Sequence, residues 1–434
     1  MRRLALRPPA LVRRETPRDT LTLVARVIDP AQRIDQPATV RVEDGIVVAI
    51  EPRATAPAEL VLAPAFVDPH VHLRTPGRED EESIATGTAA AAAGGYCAIL
   101  AMPNTDPVVD SASVLVSLLE RARDEALVST GFMAAISKQL AGEELTEMAE
   151  LASAGAAAFT DDGHPVSEAG LLRRALQYSA LADRPLALHC EERSLSRDGQ
   201  MHEGAVSAEL GLSGWPSLGE SLMVERDLAL AADERRPVHL MHLSARESVA
   251  ALRRARAAGI EVSAEATPHH LCMTHELVRS LDPNTKMNPP LRTEDDRRAL
   301  LEAVRDGTIS CIATDHAPHA LHEKDGSFEE APFGVTGLET AFAALNTFLV
   351  ETGDLPLELV LERLSRGPAE VFGLPVPRIA VGEPANLVLL DLEEEWTVRA
   401  ERFRSRSTNS WLLGQTLRGA VVRTVAAGAE VFAA

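Results

Sequence analysis

Long apolar runs are absent from this chain of 434 residues, and no stretch reaches the roughly 18 uncharged residues that cross a bilayer. Positive charge is also in deficit, because 43 basic residues face 64 acidic ones and leave a formal net charge of −21. Nucleic acids and anionic membrane surfaces select basic proteins. The composition therefore argues against both as partners, whereas a small anionic substrate could still be bound by a few local arginines.

Cysteine is scarce, and its copies lie in separate apolar runs without any Cys-x-x-Cys pair. This pattern predicts free buried thiols in a reducing compartment and hence a cytoplasmic protein. The four cysteines are Cys97, Cys190, Cys272 and Cys311. The N-terminus is rich in arginine, but Pro8, Pro9 and Pro17 would interrupt the amphipathic helix of a transit peptide, so we expect a frayed leader over residues 1–19.

An apolar run with a polar end marks the first candidate site. Residues 60–67 are typical of a strand buried on both faces, and His70-Val71-His72 follows directly. Side chains along a strand alternate with a period of two, so His70 and His72 point to the same side. Two adjacent imidazoles at a strand end can hold a metal ion, although hydrogen-bonded structural histidines are the alternative for this motif alone.

Seven further strand candidates follow, separated by polar loops and, in most cases, by helical segments. They cover residues 96–102, 131–136, 156–160, 185–188, 237–241, 260–264 and 309–314. Alternating strands and helices favour a parallel sheet, and eight units in about 300 residues is the count of a (β/α)8 TIM-type barrel. A doubly wound open sheet is the rival, but it would not bring the ends of strands one, four, five, six and eight together. We therefore predict an α/β fold with a (β/α)8 barrel.

The two chain ends differ from the middle. Short β patterns occur over residues 21–28 and 39–50, and again over residues 386–391 and 420–426. The simplest account is that both ends together form one small β-sandwich domain beside the barrel. The predicted domains are an N-terminal part of the β-sandwich, the barrel and a C-terminal part of the β-sandwich, at residues 1–63, 64–374 and 375–434.

The ends of the predicted barrel strands carry a set of potential metal ligands. Four imidazoles and two carboxylates lie there: His70, His72, Asp162, His189, His242 and Asp315. This set suits a hydrolytic site with two metal ions about 3.5–4 Å apart. Zinc is the best match for imidazole and carboxylate ligands with an open position, whereas manganese and iron remain alternatives, as does one ion per chain.

Several motifs resemble those of the amidohydrolase superfamily and, within it, the dihydroorotase family of pyrimidine biosynthesis. The matching motifs are Asp68-Pro69-His70-Val71-His72-Leu73-Arg74-Thr75-Pro76-Gly77, Met102-Pro103-Asn104-Thr105, Phe159-Thr160-Asp161-Asp162-Gly163, His189-Cys190-Glu191, Met241-His242-Leu243-Ser244, Ala266-Thr267-Pro268-His269-His270, Asn288-Pro289-Pro290-Leu291-Arg292, Thr314-Asp315-His316-Ala317-Pro318-His319 and Gly334-Val335-Thr336-Gly337-Leu338-Glu339-Thr340. Met-Pro-Asn-Thr together with Asp-His-Ala-Pro-His is a specific combination, whereas His-x-His alone is not. The resemblance implies an amidohydrolase barrel with flanking β segments.

The resemblance also implies a bridging role for Asp162. Many superfamily members bridge their metals with a carboxylated lysine on strand four, but this chain contains only Lys138, Lys286 and Lys324, none of which follows strand four. Some dihydroorotases have an aspartate at that place, which matches Asp162 and makes Asp161 a local hydrogen-bonding partner. The same feature speaks against a hydantoinase or an allantoinase, because those relatives resemble the lysine-bridged type.

The reaction and the substrate contacts follow from the same resemblance. Dihydroorotases interconvert N-carbamoyl-L-aspartate and L-dihydroorotate by means of a hydroxide held between the metals, and Asp315 matches their general acid and base. Arg74 offers a planar fork for the substrate carboxylate. The alternative for Arg74 is an ion pair with the acidic run 79–82. We expect this run to be a solvated face. The residues that match the family's substrate contacts are His72, Arg74, Asn104, Asn288, His319, Phe333 and Gly334.

Two other functions remain open from the sequence. One is another cyclic amidase, acting on hydantoin or allantoin. The other is a non-catalytic dihydroorotase-like scaffold for aspartate carbamoyltransferase, which would be expected to lose metal ligands, and none is missing here. An active enzyme could also assemble with that transferase or with copies of itself.

The remaining histidines of the strand-end motifs are not expected to bind metal. His269 and His270 are predicted to be structural or to support the ligands, and His316 is predicted to point away from Asp315. His239 has no partner pattern in the sequence and receives no role.

Overall fold

The computed structural model describes residues 8–434. Its strands are β1 (Leu21–Asp29), β2 (Ile34–Glu43), β3 (Ile46–Pro52), β4 (Leu60–Pro64), β5 (Phe66–Val71), β6 (Tyr96–Ala101), β7 (Ser129–Phe132), β8 (Leu186–Leu188), β9 (Met201–His202), β10 (Gly214–Trp215), β11 (Val238–Leu240), β12 (Val262–Ala266), β13 (Cys311–Ile312), β14 (Leu387–Thr397), β15 (Thr416–Ala426) and β16 (Ala429–Ala433). Its α-helices are α1 (Ile84–Ala93), α2 (Ala112–Glu125), α3 (Met148–Ala154), α4 (Ala169–Ala182), α5 (Arg193–Ser196), α6 (Ala205–Leu210), α7 (Leu218–Glu234), α8 (Arg246–Ala257), α9 (Pro268–Cys272), α10 (Glu294–Arg305), α11 (Leu321–Lys324), α12 (Ala341–Leu345), α13 (Leu357–Leu364) and α14 (Arg366–Val371).

The middle of the chain forms a closed barrel of parallel strands. β5 pairs with β6 and β6 with β7, while a second run joins β8, β11, β12 and β13. Isolated parallel bridges at Phe159 connect the two runs, so the fourth strand is reduced to this residue. The circle closes where Val71 bridges His316 and the His72 amide donates to the His316 carbonyl at 2.8 Å. The predicted (β/α)8 barrel is confirmed.

Burial and capping explain why these segments adopt their structures. All six residues of β5 and all six of β6 are buried, as expected for parallel strands covered on both faces. α10 begins with a capping box, in which the Asp296 amide donates to Thr293 Oγ1 at 3.3 Å and the Thr293 amide donates to the Asp296 carboxylate at 3.1 Å. The helix then buries Leu300, Leu301 and Val304 against the barrel.

Both chain ends contribute to one seven-stranded sheet beside the barrel, in the order β16-β15-β14-β4-β1-β2-β3. The prediction of one buried strand over residues 60–67 is wrong, because the chain changes sheet at Ala65. The Ala65 amide donates to the Asn386 carbonyl at 3.0 Å, whereas the Phe66 amide donates to the Gly95 carbonyl in the barrel at 2.9 Å. The prediction that both chain ends form one β domain beside the barrel is thus confirmed, with the seven strands in a single sheet, while the residue limits of the domain stay predictions.

The expected frayed leader is not observed where the structure describes it. The Ala10 amide donates to the Gly155 carbonyl at 3.1 Å, and Val12 and Thr130 exchange two backbone hydrogen bonds of 3.0 and 2.8 Å. These bonds extend the β7 edge of the barrel, which offered unpaired backbone groups. Residues 1–7 of the predicted leader lie outside the described part of the chain.

Two predictions from composition can be compared with the structure. Among the helices described within residues 8–434, none is long and apolar enough to span a bilayer. All four cysteines carry free thiols, three of them buried, which confirms the prediction made from their spacing.

Candidate active site

The strand ends of the barrel bring the six predicted ligands together at one mouth. Each of the six residues is at most 9% exposed, so protein groups rather than bulk water must balance its charge. They are His70 in β5, His72 just after it, Asp162 beyond Phe159, His189 after β8, His242 after β11 and Asp315 after β13.

Asp162 lies at the centre of this cluster. Its Oδ2 atom is 3.6 Å from His70 Nε2 and 3.4 Å from His72 Nε2. Its Oδ1 atom is 3.6 Å from His189 Nδ1 and 3.5 Å from His242 Nε2. One carboxylate therefore belongs to two separate groups of ligand atoms, and within each group these atoms lie within 4.8 Å of one another. This is the arrangement that a ligand shared between two metal ions requires.

The spacing and hydrogen bonding of the cluster fit divalent ions. Ligand atoms about 2.0–2.1 Å from a tetrahedral zinc ion lie roughly 3.3–3.4 Å from one another. Asp315 Oδ1 is 3.4 Å from His70 Nε2 and 3.2 Å from His72 Nε2, close to that separation. His70 Nε2 is buried and has no hydrogen-bond partner among residues 8–434, although it faces two carboxylates. A metal ion would satisfy this nitrogen.

The charges of the cluster also favour a cation. Burial lowers the pKa of the His70 imidazole, but Asp315, Asp162 and Glu265 outweigh burial and raise this pKa well above its usual value. Burial raises the pKa of the Asp162 carboxyl, yet His70 and His189 hold it well below its usual range. The buried carboxylates thus stabilise positive charge on or between the imidazoles, and this is the electrostatic environment that a metal ion needs.

The nitrogens that face away from the cluster are also hydrogen-bonded. His72 Nδ1 lies 3.0 Å from Asn104 Oδ1, and His189 Nε2 lies 3.0 Å from Glu191 Oε2. Because a carboxylate only accepts hydrogen bonds, the Glu191 contact places a proton of His189 on Nε2 and turns Nδ1, which lies 2.9 Å from His242 Nε2, towards the cluster. Contacts of this kind fix the orientation of metal-binding histidines and raise their affinity.

Glu265 is the main functional residue that the sequence analysis missed. Its carboxylate accepts from His70 Nδ1 at 2.7 Å and from His239 Nε2 at 2.9 Å, and His239 Nδ1 lies 2.8 Å from Ser263 Oγ. His239, to which no role had been given, is therefore part of the support of His70. The available signal was an acidic residue inside β12 between two buried alanines, Ala264 and Ala266, where an unpaired charge would be costly.

Unusual backbone geometry accompanies the cluster. His242, Asp315 and Arg74 adopt positive φ angles of 32°, 48° and 53°, a region that non-glycine residues occupy at a cost. A buried hydrogen bond holds the Asp315 segment: the Asp68 carboxylate of β5 accepts from Thr314 Oγ1 at 2.6 Å. The two adjacent barrel strands thus position Asp315 directly beside the histidines of β5.

Arg74 lies next to the cluster in a buried network. Its Nε forms an ion pair with the Glu81 carboxylate at 2.9 Å and donates to the Pro318 carbonyl at 3.1 Å, and its Nη2 is 3.5 Å from His319 Nε2. Glu81 and Glu82 are 2% and 0% exposed, so the expectation of a solvated acidic face is wrong for these two residues. The ion pair considered as an alternative for Arg74 does form, but it is buried, and the guanidinium also faces His319.

The loop that carries Phe333 and Gly334 packs against His319. The Phe333 carbonyl is 2.7 Å from His319 Nε2, and a Cβ atom on Gly334 would come within 2.7 Å of Ala317 Cβ and 3.2 Å of His319 Nε2. Asn288 and Phe333 line a cavity of about 520 Å³, and Asn288 Oδ1 has no hydrogen-bond partner in the described chain. Two of the predicted substrate contacts, Asn288 and Phe333, therefore border one space, although the roles of all seven stay predictions.

A third group of possible ligands lies at the same mouth. Glu81, His319 and Glu323 bring their ligand atoms within 4.8 Å of one another. Both carboxylates already have cationic partners, because Arg74 lies 2.9 Å from Glu81 and Arg78 lies 2.8 Å from Glu323. These guanidinium groups take the place that a metal ion would occupy, so we assign no metal here.

Two neighbouring predictions are confirmed by hydrogen bonds. Asp161 accepts from the backbone amides of Ile136 and Ser137 at 2.8 and 3.0 Å, as a local partner would. His316 Nε2 lies 3.3 Å from Glu82, on the side away from the metal-ligand cluster. The two adjacent aspartates therefore have different contacts: Asp161 accepts from the backbone of residues 136–137, whereas Asp162 faces the imidazoles.

None of the three lysines is available as a bridge. Lys138 is exposed, Lys286 Nζ donates to the Phe328 carbonyl at 2.9 Å, and Lys324 Nζ donates to the Pro332 carbonyl at 2.6 Å. No lysine therefore takes the place proposed for Asp162 as the shared ligand.

Together, the barrel, the strand-end cluster and the flanking sheet define a metal-dependent cyclic amidohydrolase. A sequence model of the family described as Dihydro-orotase-like matches residues 59–248. The chain is 42% identical over 387 residues to the dihydroorotase of Caldanaerobacter subterraneus subsp. tengcongensis, covering 89% of this chain and 88% of that protein. It is 45% identical over 372 residues to the dihydroorotase of Geobacillus sp. (strain WCH70), covering 86% and 87%. The chain belongs to the dihydroorotase family.

Solved structures support the fold. The L-hydantoinase (dihydropyrimidinase) of Arthrobacter aurescens superimposes with a TM-score of 0.82 at 24% identity, covering 94% of each chain. The dihydropyrimidinase of Brevibacillus agri NCHU1002 superimposes with a TM-score of 0.78 at 22% identity, covering 95% of each chain. At these identities the likeness concerns the fold alone, while the family assignment rests on the dihydroorotases.

Proposed function

We propose that this protein is a dihydroorotase, which reversibly cyclises N-carbamoyl-L-aspartate to L-dihydroorotate in de novo pyrimidine biosynthesis. The observation that carries the proposal is the largely buried Arg74–His319 pair, whose arginine side chain is 14% exposed, beside the Asp162-centred cluster. A ring that bears a carboxylate needs a fixed cationic contact next to the reacting carbonyl, and a guanidinium meets that need. Hydantoin and allantoin lack that carboxylate, so neither would use this arginine.

We propose that two zinc ions occupy the cluster. His70, His72 and Asp315 would hold one ion, His189 and His242 the other, and the sixth ligand, Asp162, would be shared. Bound there, divalent ions would polarise the substrate carbonyl and lower the pKa of a water molecule to near neutrality. Manganese and iron are the alternatives to be compared by metal analysis.

Asp315 is the proposed proton carrier. In the hydrolytic direction it accepts the proton of the attacking water and delivers it to the ring nitrogen that leaves. His70 and His72, at 3.4 and 3.2 Å, hold the pKa of the Asp315 carboxyl below its usual value despite burial, so the residue begins the reaction as a carboxylate able to accept a proton. In the biosynthetic direction the same proton transfers run in reverse.

The proposed substrate contacts surround this centre. Arg74 and His319 bind the carboxylate, and Asn104 lies beside His72 on the same side. The Asn288 side-chain oxygen, which has no hydrogen-bond partner in residues 8–434, would contact the substrate ring. The Phe333–Gly334 backbone would lie next to the ring as well. His72 contributes both as a ligand and as a surface for substrate.

We further propose that the protein acts in the cytoplasm, in keeping with its four free thiols. The proposed partners are an aspartate carbamoyltransferase and further copies of this chain. A scaffold without catalysis is disfavoured because the ligand set is complete. Size-exclusion chromatography of the protein alone and mixed with the transferase tests both associations, and elution of the protein as a monomer in both runs would contradict them.

Substrate turnover tests the function directly. Purified protein is assayed spectrophotometrically with dihydroorotate, hydantoin and allantoin, before and after removal of metal by a chelator. We expect hydrolysis of dihydroorotate alone, its loss on chelation and its recovery on addition of zinc. Turnover of hydantoin or allantoin instead would reassign the substrate, and no turnover by metal-loaded protein would support the scaffold.

A further inference from the structure

A short segment from the C-terminal part of the chain crosses the loops of the barrel mouth. In this segment, residues 405–409, which we call the strap, burial alternates: Ser405, Ser407 and Asn409 are buried, whereas Arg406 is exposed. Each buried side chain contacts a loop at the mouth. Ser405 Oγ donates to the Glu82 carboxylate, and Ser407 Oγ donates to the Glu81 carbonyl at 2.6 Å.

Asn409 makes the most extensive of these contacts. Its Oδ1 accepts from the His319 amide at 3.0 Å, and its Nδ2 donates to the Ala317 carbonyl at 3.1 Å and to the Gly334 carbonyl at 3.2 Å. Its backbone carbonyl accepts from the Thr336 amide at 2.9 Å. The side chain thus ties together the loop that carries His319 and the loop that carries Gly334.

The position of the His319 ring depends on the relative placement of these two loops. His319 Nε2 is 2.7 Å from the Phe333 carbonyl and 3.5 Å from Arg74 Nη2. His319 lies outside regular secondary structure, as do Phe333 and Gly334, so no strand or helix fixes the ring. One backbone hydrogen bond, from the Ala317 amide to the Val335 carbonyl at 2.8 Å, joins the two loops, and the buried Asn409 amide adds three side-chain bonds next to His319. An unpaired buried amide would be costly.

We infer that Asn409 is a positioning residue for His319 and, through it, a determinant of affinity for substrates that carry a carboxylate. The inference rests on the proposed function, because it assumes that His319 contacts the substrate carboxylate. Within residues 8–434 the Asn409 side chain bonds His319, Ala317 and Gly334 and none of the six predicted metal ligands, so its loss should act on substrate binding rather than on the metals. Through Asn409, the strap would contribute to binding of the substrate carboxylate.

A double-mutant cycle tests the inference. Asn409→Ala, His319→Ala and the double variant are compared for KM and kcat on dihydroorotate, for metal content and for Tm. Ser410→Ala is the matched control, since Ser410 is buried and adjacent, and its hydroxyl accepts from the Leu412 amide at 3.3 Å without contacting His319 or Gly334 in the described chain. We expect Asn409→Ala to raise KM by about tenfold with kcat within about threefold, and the double variant to be no worse than His319→Ala, because residues that act through one group are not additive.

Several outcomes would overturn the inference. If the two substitutions have additive effects on KM, Asn409 does not act through His319. If Asn409→Ala has the same KM as Ser410→Ala, Asn409 has only a structural role. If Asn409→Ala does not fold, Asn409→Ser, which keeps one hydroxyl, enters the same cycle. If the wild type does not turn over dihydroorotate, the proposed function fails separately, and the cycle is then measured as the affinity of the metal-loaded protein for orotate by calorimetry.

Discussion

The proposed metal-ligand cluster and the proposed carboxylate-binding pair, Arg74 and His319, lie side by side but are held in different ways. The cluster sits on strand ends, and Glu265 of β12 supports it from within the barrel. Arg74 and His319 sit on loops, where Glu81, backbone carbonyls and Asn409 hold them. The groups proposed for the chemistry are therefore fixed by the barrel strands, whereas those proposed for recognition lie on loops that contacts with other parts of the chain hold in place.

The two regions should therefore respond differently to substitution. Changes in the cluster should reduce kcat or metal affinity, because they alter groups that the strands hold in fixed positions. Changes in the carboxylate-binding region should mainly raise KM, because they weaken substrate binding without altering the proton carrier. The following predictions test this division.

The largest effect is expected at Asp315. Asp315→Asn removes the carboxylate that we propose takes and returns the proton, so kcat should fall by about 10²–10⁴-fold. Metal content measured by elemental analysis should fall much less, because five of the six predicted ligands remain. Unchanged kcat in metal-loaded Asp315→Asn would contradict the assigned role.

A smaller effect is expected at Glu265. In Glu265→Gln the amide can accept from His70 or from His239 but no longer carries the charge that supports both, so metal affinity should fall by about 10–100-fold. Competition with a chromogenic chelator measures this affinity. Ser263→Ala is the control, since it removes only the Ser263–His239 contact of 2.8 Å. Equal affinities for both variants and the wild type would argue against support through Glu265.

Arg74 tests the other side of the comparison. Arg74→Lys keeps a cation beside Glu81 but loses the planar fork, so KM for dihydroorotate should rise by about tenfold while kcat changes little. Arg78→Lys, which also alters a partner of Glu81 but at a side chain 46% exposed, is the control. A fall in kcat at unchanged KM in Arg74→Lys would place this arginine in the chemistry instead.

The smallest effect concerns stability at the contact between barrel and strap. Burial raises the pKa of the Glu339 carboxyl from 4.5 to about 7, although the amides of Arg404 and Ser405 donate to it. Between pH 4.5 and 7 the folded state therefore binds more protons than the unfolded chain, and the stability contributed by Glu339 falls as pH rises. Glu339→Gln should remove this fall and raise stability above pH 7 by roughly 2 kcal/mol.

Thermal unfolding from pH 4 to pH 8 measures this effect. Exposed Glu401, changed to Gln, serves as the control and should follow the wild type. If Glu339→Gln also follows the wild type over that range, the raised pKa does not contribute to stability.

The division between barrel and loops also explains what the sequence could predict. Strand-end residues such as His70 and Asp162 are visible, because each strand leaves a local apolar pattern that places its end. Glu265 was missed because it is 195 positions away from His70 and no spacing rule links them. Asn409 lies in the segment assigned to the flanking domain, and only the folded chain brings it to His319.

Predictions from local sequence patterns were wrong where tertiary contacts determine the structure of the segment. The apolar run 60–67 has no polar break, and its one local signal of the change of sheet at Ala65 is Pro64, which ends β4. The acidic run 79–82 has the composition of a solvated face, yet Arg74 and Arg78 neutralise Glu81 and allow its burial. Burial of a charge depends on a partner, and in these cases the partner's position is set by the fold.

The most direct test of the central claim is a metal titration. Apoprotein from the wild type, Asp162→Asn and Asp161→Asn is titrated with zinc by calorimetry. If Asp162 is shared between two ions, the wild type and Asp161→Asn should each bind about two equivalents, whereas Asp162→Asn should lose at least one or bind both far more weakly. Two tightly bound equivalents in Asp162→Asn, or a single equivalent in the wild type, would contradict the shared-ligand arrangement.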